Sequence, residues 1–312
     1  MISDHVEIIF MYSVVLKSDG LLLFAAVIWG FGFVAQRVGM VHIGPFLFNG
    51  VRFALGCVVL LPFVLKNRLP LIRPAKNSVS LGIKTTISAS ALAGFVLFSG
   101  ASFQQIGLVY TTAGNAGFIT GLYVVIVPLL ALLWGTRTSF GTWIGASLAA
   151  AGLYLLSVTE HLTISLGDLL EIIGAFFWAV HVLIIGWLSA KLDSLQLAFF
   201  QYAICAILSL IMAFFFETFT LFGLFRAAVP ILYGGALSVG VAYTLQVVGQ
   251  RNAHPAHAAV LLSLEAVFAA IGGRVVLSEI LTVRETFGCG LMLFGMLFSQ
   301  LWGLSLKNPA TN

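Results

Sequence analysis

The chain has 312 residues, 60% of them hydrophobic and only 8% charged, and its mean hydropathy is +1.09. A soluble domain of this length could bury a large core but would still need a charged exterior, so the composition excludes that class. The formal net charge of +4 needs no nucleic-acid partner, because basic residues gathered in the loops of a membrane protein account for it.

The first apolar run, Val6 to Leu16, is too short to span a bilayer and lacks the basic leader of a signal peptide. It is expected to be an interfacial segment, or to precede a later true start. Ten apolar spans follow, at about 20–39, 44–65, 85–108, 110–134, 140–159, 168–188, 195–216, 227–249, 255–277 and 284–304. Each approaches the roughly 20 residues that cross a hydrocarbon core about 30 Å thick. The expected fold is all-α: a polytopic membrane protein of ten transmembrane helices. The 32 glycines suit helices that pack closely in lipid. Cys57, Cys205 and Cys289 all fall inside spans, so neither a disulfide framework nor metal-ligand spacing is present.

Lys and Arg set the orientation. With the N-terminus in the cytoplasm, Lys17, Lys66, Arg68, Arg73, Lys76, Lys84, Arg137, Lys191, Arg251 and Lys307 lie inside. Arg37, Arg226, Arg274 and Arg284 lie on the other side. Both chain ends are therefore expected inside.

Along the spans, the candidates for chemistry are few. Trp29 in span one is a candidate lining or gating residue. Arg52, about seven residues into span two, reads as a structural polar residue that pairs with another helix, with contact to an anionic solute as the alternative. Gln104 in span three joins it as structural polar. Asn115 and Tyr123 lie near one stripe of span four. Pro128 interrupts that span, where a freed carbonyl needs a cavity or a neighbour. Trp178 and His181 share a face of span six, and His181 suits either proton relay or a packing hydrogen bond. Tyr243 and Gln246, three apart, share a face of span eight. His254 and His257 sit at the entry of span nine and read as interfacial. Glu265 is the sharpest feature. A helix that starts at Pro255 would place it roughly 15 Å deep, near the midplane, where a carboxyl usually faces a cavity, a partner or a solute. Trp29, Asn115, Tyr123, Trp178, His181, Tyr243, Gln246 and Glu265 are thus the candidate substrate contacts, with Glu265 and His181 the candidates for proton coupling. Interhelical hydrogen bonds, about 0.6 kcal/mol each in a membrane, explain any one of them alone. As a group they suit a cavity for a small amphipathic or aromatic metabolite.

The two halves resemble each other. Asp19-Gly20 and the run to Trp29 match Gly167-Asp168 and the run to Trp178. VVIVPLLALLWG (Val124 to Gly135) aligns with LSLEAVFAAIGG (Leu262 to Gly273), and GTWIGASLAAAGLYL (Gly141 to Leu155) with RETFGCGLMLFGMLF (Arg284 to Phe298). The last pairing makes Gly145 equivalent to Gly288 and Gly152 to Gly295. Five spans per half is odd, so the second repeat enters the membrane inverted, and such repeats place a site near the midplane between them. The divisions expected are an N-terminal segment 1–19, a first five-helix repeat 20–159, a second 160–304 and a cytoplasmic tail 305–312. The glycine runs Gly30-Phe31-Gly32, Gly234-Gly235 and Gly272-Gly273 are not phosphate loops, and no ATPase motif occurs. No cofactor or metal is expected.

WGFGFVAQR (Trp29 to Arg37), GPFLFNGVRF (Gly44 to Phe53), YTTAGNAGFITGLYVVIVP (Tyr110 to Pro128), GDLLEIIGAFFWAVHV (Gly167 to Val182) and the segment Ser238 to Gly273 resemble the drug/metabolite transporter superfamily, specifically its EamA-type ten-helix exporters. VLSEIL (Val276 to Leu281) resembles the acidic turn before the last helix of that family. Repeat one carries Gly135-Thr136-Arg137 where an acidic turn is common, and Ala266 follows Glu265 where a proline is common. The resemblance implies a secondary transporter in a bacterial plasma membrane, exporting an amino acid or drug-like solute by alternating access. Its partners would be the solute and the bilayer, as a monomer or homodimer. A membrane-embedded enzyme acting on lipids is the alternative, and would need clustered acids or histidines near one leaflet.

Overall fold

The computed structural model describes residues 2–66, 83–111, 113–133, 135–136, 138–157, 165–218, 220–277 and 282–305. Within them the chain is helical, with no strand among the described residues. The order is α1 Ile2–Gly39, α2 Pro45–Leu65, α3 Ile83–Tyr110, α4 Ala113–Gly121, α5 Tyr123–Leu133, α6 Phe140–Ser157 and α7 Leu166–Ser189. It continues with α8 Ser194–Phe216, α9 Leu221–Arg226, α10 Ala228–Leu232, a π-helix Tyr233–Tyr243, α11 Thr244–Gln250, α12 Pro255–Leu262, α13 Glu265–Leu277 and α14 Val283–Ser305. Among the described residues, eight segments are long and apolar enough to cross a membrane, and the shorter apolar helices Phe140–Leu155 and Thr286–Ser299 accompany them. This is a polytopic membrane protein.

Its surface confirms the solvent. Phe214, Phe215 and Phe216 are 71–78% exposed, a pattern that water would penalise and lipid accepts. Polar residues turn inward instead: Asn49, Gln105, Gln201, His181 and Glu171 are wholly buried. Helix starts are built from local chemistry. Ser165 and Asp168 form a capping box on α7, and the Asp193 side chain accepts from the amides of Leu195 and Gln196 at the start of α8. Helix α2 has no side-chain cap of its own. The Glu217 carboxylate at the far end of α8 takes that place, accepting from the amides of Phe46 (2.7 Å) and Leu47 (2.8 Å). A carboxylate at a helix N-terminus also complements the dipole. Glu217→Ala is therefore expected to cost about 1–2 kcal/mol, measured as a lower midpoint of chemical denaturation in detergent.

Four departures from the expected spans matter for function. The run Val6–Leu16 is not a separate interfacial piece: it belongs to α1, which is continuous to Gly39. The span expected at 110–134 breaks at Leu122, between α4 and α5, while Pro128 stays inside α5. The span expected at 255–277 breaks at Ser263–Leu264, so Glu265 opens α13 rather than lying in mid-helix. The span at 227–249 contains eleven residues of π-helix, a wider winding found mostly at functional sites. The acidic turn around Glu279, the basic residues Arg68, Arg73, Lys76, Arg137 and Lys307, and the tail 306–312 lie outside the described residues.

The packing pairs the helices in a regular way. Helix α6 lies along α14, and α2 along α8. Helix α3 packs on α7 and α8, while the π-helix packs on α1 and α2. Helices α4 and α5 contact α7; α12 and α13 contact α1. Across the first of these pairs, a Cβ added at Gly145 would meet the Gly295 carbonyl at 2.7 Å, and one at Gly152 would meet the Gly288 carbonyl at 2.6 Å. An early residue of α6 thus faces a late residue of α14, so the two cross antiparallel.

Candidate functional site

A cavity opens where these helices converge. Its lining from the first half of the chain is Trp29, Phe33 and Gln36 of α1, Arg52 of α2, Gln104 of α3, Thr120 of α4 and Tyr123 of α5. From the second half come Trp178 and Val182 of α7, Ser238 and Tyr243 of the π-helix, Gln246 of α11, Leu262 of α12 and Glu265 of α13. Both sequence halves contribute to one wall-to-wall site. Its free volume is about 40 Å³, room for a few water molecules, so a solute the size of an amino acid requires the walls to part.

Tyr243 organises the aromatic side. Its ring lies 4.6 Å from that of Trp29, 5.8 Å from Phe53, 6.0 Å from Trp178 and 6.2 Å from Tyr202, centroid to centroid. The indole N–H of Trp29 donates to the Ser238 carbonyl at 3.3 Å, and the Tyr233 hydroxyl donates to the Ile28 carbonyl at 2.8 Å. These two bonds stitch α1 to the π-helix. On the other flank α2 presses against that helix, where Gly235 meets Leu55 and Gly56 meets Val239 at distances no added Cβ could keep.

The polar groups are held from different elements. Glu265, 5% exposed, begins α13 just after the break, and the Tyr123 hydroxyl at the start of α5 donates to its Oε1 at 3.0 Å. A carboxyl at a helix N-terminus sits at the positive end of the dipole. Arg52 is buried between Phe48 and Phe53, its guanidinium carbon 5.6 Å and 5.0 Å from their ring centroids. Its Nε donates to Asn49 Oδ1 at 2.9 Å, whereas Nη2 has no hydrogen-bond partner. Gln36 Oε1, Gln246 Oε1 and Trp178 Nε1, all from cavity-lining residues, are buried without a partner too. Buried polar atoms are nearly always satisfied, and these four belong to residues that line one cavity.

Measured against expectation, Trp29, Tyr123, Trp178, Tyr243, Gln246 and Glu265 are brought together. His181 is not among the lining residues: its Nε2 bonds Gln201 Oε1 at 2.9 Å and its ring stands edge-on to Trp178 and Tyr243, behind the wall. Arg52 and Gln104, read as structural, bond Asn49 and Thr120 and also line the cavity. The Asn115 side chain lies outside the described residues. His254 caps α12 by accepting from the Ala256 amide; burial and the nearby His257 hold its imidazole below the usual histidine pKa. His257 bridges Asp19 and Ser299, both at 3.2 Å, tying α12 to α1 and α14. Glu171 went unnoticed in the sequence because it lies one turn from the acidic helix start at Asp168, where a carboxylate needs no special reason. In space it is completely buried. Among the described residues, no group of three His, Cys, Asp or Glu side chains is placed to hold a metal ion.

Comparison with known proteins adds the context. The family model described as the EamA-like transporter family matches twice, over residues 16–158 and 165–301. A protein of Archaeoglobus fulgidus named an uncharacterized transporter is 34% identical over 288 residues, covering 92% of this chain and 86% of its own. A protein of Escherichia coli K12 named a probable amino-acid metabolite efflux pump is 30% identical over 168 residues, 52% of each chain. A solved crystal structure superposes with a TM-score of 0.73 at 19% identity, covering 93% of this chain and 99% of that one. At that identity the likeness speaks to the fold alone.

Proposed function

The chain belongs to the EamA-like transporter family, and from that premise we propose that it exports a small zwitterionic metabolite of the amino-acid class by alternating access. The observation that carries this reading is that the Arg52 side chain and the Glu265 side chain both line one aromatic cavity. A guanidinium fork fits a carboxylate, a carboxyl or amide oxygen fits an ammonium, and aromatic faces fit an apolar side chain. The efflux activity named for the Escherichia coli relative points the same way.

The mechanism rests on ten crossings in two inverted sets of five. The first set would be α1, α2, α3, the α4–α5 pair and α6; the second α7, α8, the rod from α9 to α11, the α12–α13 pair and α14. Three observations support it. The family model matches once per half. Exchanging each helix with its counterpart maps the helix pairs onto one another: α3 on α7 becomes the π-helix rod on α1, and α4–α5 on α7 becomes α12–α13 on α1. The Gly145–Gly295 contact becomes Gly288–Gly152 under the same exchange. An antiparallel pair related by a twofold places that axis in the membrane plane, the arrangement of inverted repeats. Rocking of one set against the other would open the contracted cavity to each side in turn, with the breaks at Leu122 and Ser263–Leu264 as bending points. Export against a gradient would exchange solute for a proton on Glu265. The basic loops argue for both chain ends in the cytoplasm.

The test is an untargeted comparison of medium metabolites between cells that overproduce the protein and cells that lack it. Amino-acid-like solutes accumulating outside the overproducing cells support the reading; identical media overturn it. For an accumulated carboxylate-bearing solute, Arg52→Lys is expected to weaken apparent affinity at least about tenfold, or about 1.4 kcal/mol. The point charge survives but the fork is lost. Isothermal binding to purified protein measures it.

A further inference from the structure

The α4–α5 break has hydroxyls on both sides. Thr120, at the end of α4, donates to Glu171 Oε2 at 3.3 Å, and Tyr123, at the start of α5, donates to Glu265 Oε1 at 3.0 Å. One broken helix therefore holds two buried carboxyl groups from two other helices, α7 and α13. Thr120 also lines the cavity and receives the Gln104 amide at 3.4 Å. Glu171 is 0% exposed, and its Oε1 has no hydrogen-bond partner. That oxygen rests over Gly107 of α3, where an added Cβ would approach it to 2.8 Å. The missing side chain there makes room for the carboxyl. One turn towards the start of α7, Asp168 Oδ1 accepts from the Thr111 hydroxyl at 2.7 Å, and its Oδ2 bonds the Ser165 amide in an exposed cap.

We infer that Glu171 is a second proton-binding carboxyl of the transport path, reached from water past Asp168 and Thr111 and joined to the cavity by the Thr120 hydroxyl. A carboxylate fixed in a dry site with one oxygen unpaired is costly, and glutamine would make the same bond to Thr120. A proton on Oε1 removes the charge. The ionised form is served by the Thr120 hydroxyl, which can pass a proton between the carboxyl and the cavity. The groups that face this site are few. Asp168 stands on its own helix, Gln104 and Thr111 on α3, and Thr120 on α4. Tyr123 leads α5, and Arg37 of α1 sits at the end of α3 on the Leu108 and Thr111 carbonyls. Elsewhere on the faces of α7, Gln250 of α11 bonds the Val182 carbonyl and Gln201 of α8 bonds His181. The arrangement implies that the two carboxyls load together or in turn, and that the Leu122 break senses which is ionised.

This inference uses the transport reading for its purpose only. Its test reads protons rather than flux, so failure of one is distinguishable from failure of the other. Purified protein in lipid is titrated across the whole pH range in which it stays folded while the infrared carboxyl band is followed in wild type, Glu171→Gln, Glu265→Gln and Thr120→Val. Two buried carboxyl transitions are expected in wild type, one lost in Glu171→Gln and the other in Glu265→Gln. Thr120→Val is expected to keep both and to shift the midpoint and frequency of the Glu171 signal, a readout that stands even where Glu171→Gln does not fold. A wild-type protein with no transition lost on replacing Glu171, or a Thr120→Val spectrum identical to wild type, overturns the assignment.

Discussion

Replacing Glu265 with glutamine is expected to erase the metabolite difference between overproducing and deficient cells while leaving the protein at its normal level in the membrane. Glutamine is nearly isosteric with the acid, and its amide oxygen can still accept from the Tyr123 hydroxyl that now reaches Glu265 Oε1 at 3.0 Å. What it cannot do is take up and release a proton. The α13 N-terminus keeps a polar group at its first residue, so the break at Ser263–Leu264 has no reason to close. A drop of at least about tenfold in export corresponds to about 1.4 kcal/mol, small beside the cost of leaving an exchange cycle without its counter-substrate. Solute-for-solute exchange in proteoliposomes is expected to persist in the same variant, because that half of the cycle needs no change of protonation. Export by Glu265→Gln at the wild-type rate would falsify any need for the carboxylate, in coupling or in binding. Loss of exchange together with export would point to Glu265 as a ligand for the solute ammonium as well.

Much of this site was legible before any coordinates, for reasons specific to each residue. Glu265 stands out because lipid tolerates few carboxyls. Trp29, Trp178, Tyr243 and Gln246 stand out because polar and aromatic groups inside apolar spans must find an interior to face. The interior they found is the same cavity. Arg52 was harder. Its bond to Asn49, three residues earlier on the same face, was readable from spacing, but the free Nη2 depends on Phe48, Phe53 and the π-helix closing round it. Pro128 pointed to a broken fourth span, and the break came six residues earlier, at Leu122. There the chain turns, and Thr120 and Tyr123 on its two sides reach different helices, at Glu171 and Glu265. The Leu122 break follows Gly121, whereas the Ser263–Leu264 break carries no proline or glycine, and there tertiary contacts overrode a helical preference. Glu171 could not be recognised in sequence, since its burial is a property of Gly107 on another helix.

The largest stability effect is expected at the glycine-lined crossing of α6 and α14, where small residues let the two backbones touch. At Gly152 an added Cβ would lie 2.6 Å from the Gly288 carbonyl and 3.0 Å from the Met292 amide nitrogen. Both are backbone atoms, which cannot rotate away as a side chain would, so the helices must separate. At Gly145 the first obstacle is the Gly295 carbonyl at 2.7 Å. Gly→Ala in an ordinary helix gains roughly 0.5–1 kcal/mol, but over-packing of a tight contact costs about 1–3 kcal/mol, and here the cost dominates. Gly152→Ala is therefore expected to lower the unfolding free energy by about 1–2 kcal/mol net, and Gly152→Leu to prevent accumulation of folded protein. Gly290 supplies the control: it lies on the same helix α14 with nothing within 4 Å of its added Cβ, so Gly290→Ala is expected to match or exceed wild type. The pair Gly145→Ala and Gly152→Ala tests the geometry further. Once one substitution has pushed the axes apart the second meets less resistance, so the double variant is expected to lose less than the sum. Denaturant titration of the purified proteins measures all four. A Gly152→Ala protein that unfolds at the wild-type midpoint would mean that α6 and α14 do not cross at these glycines, and the exchange of contacts that supports two inverted repeats would lose its firmest part.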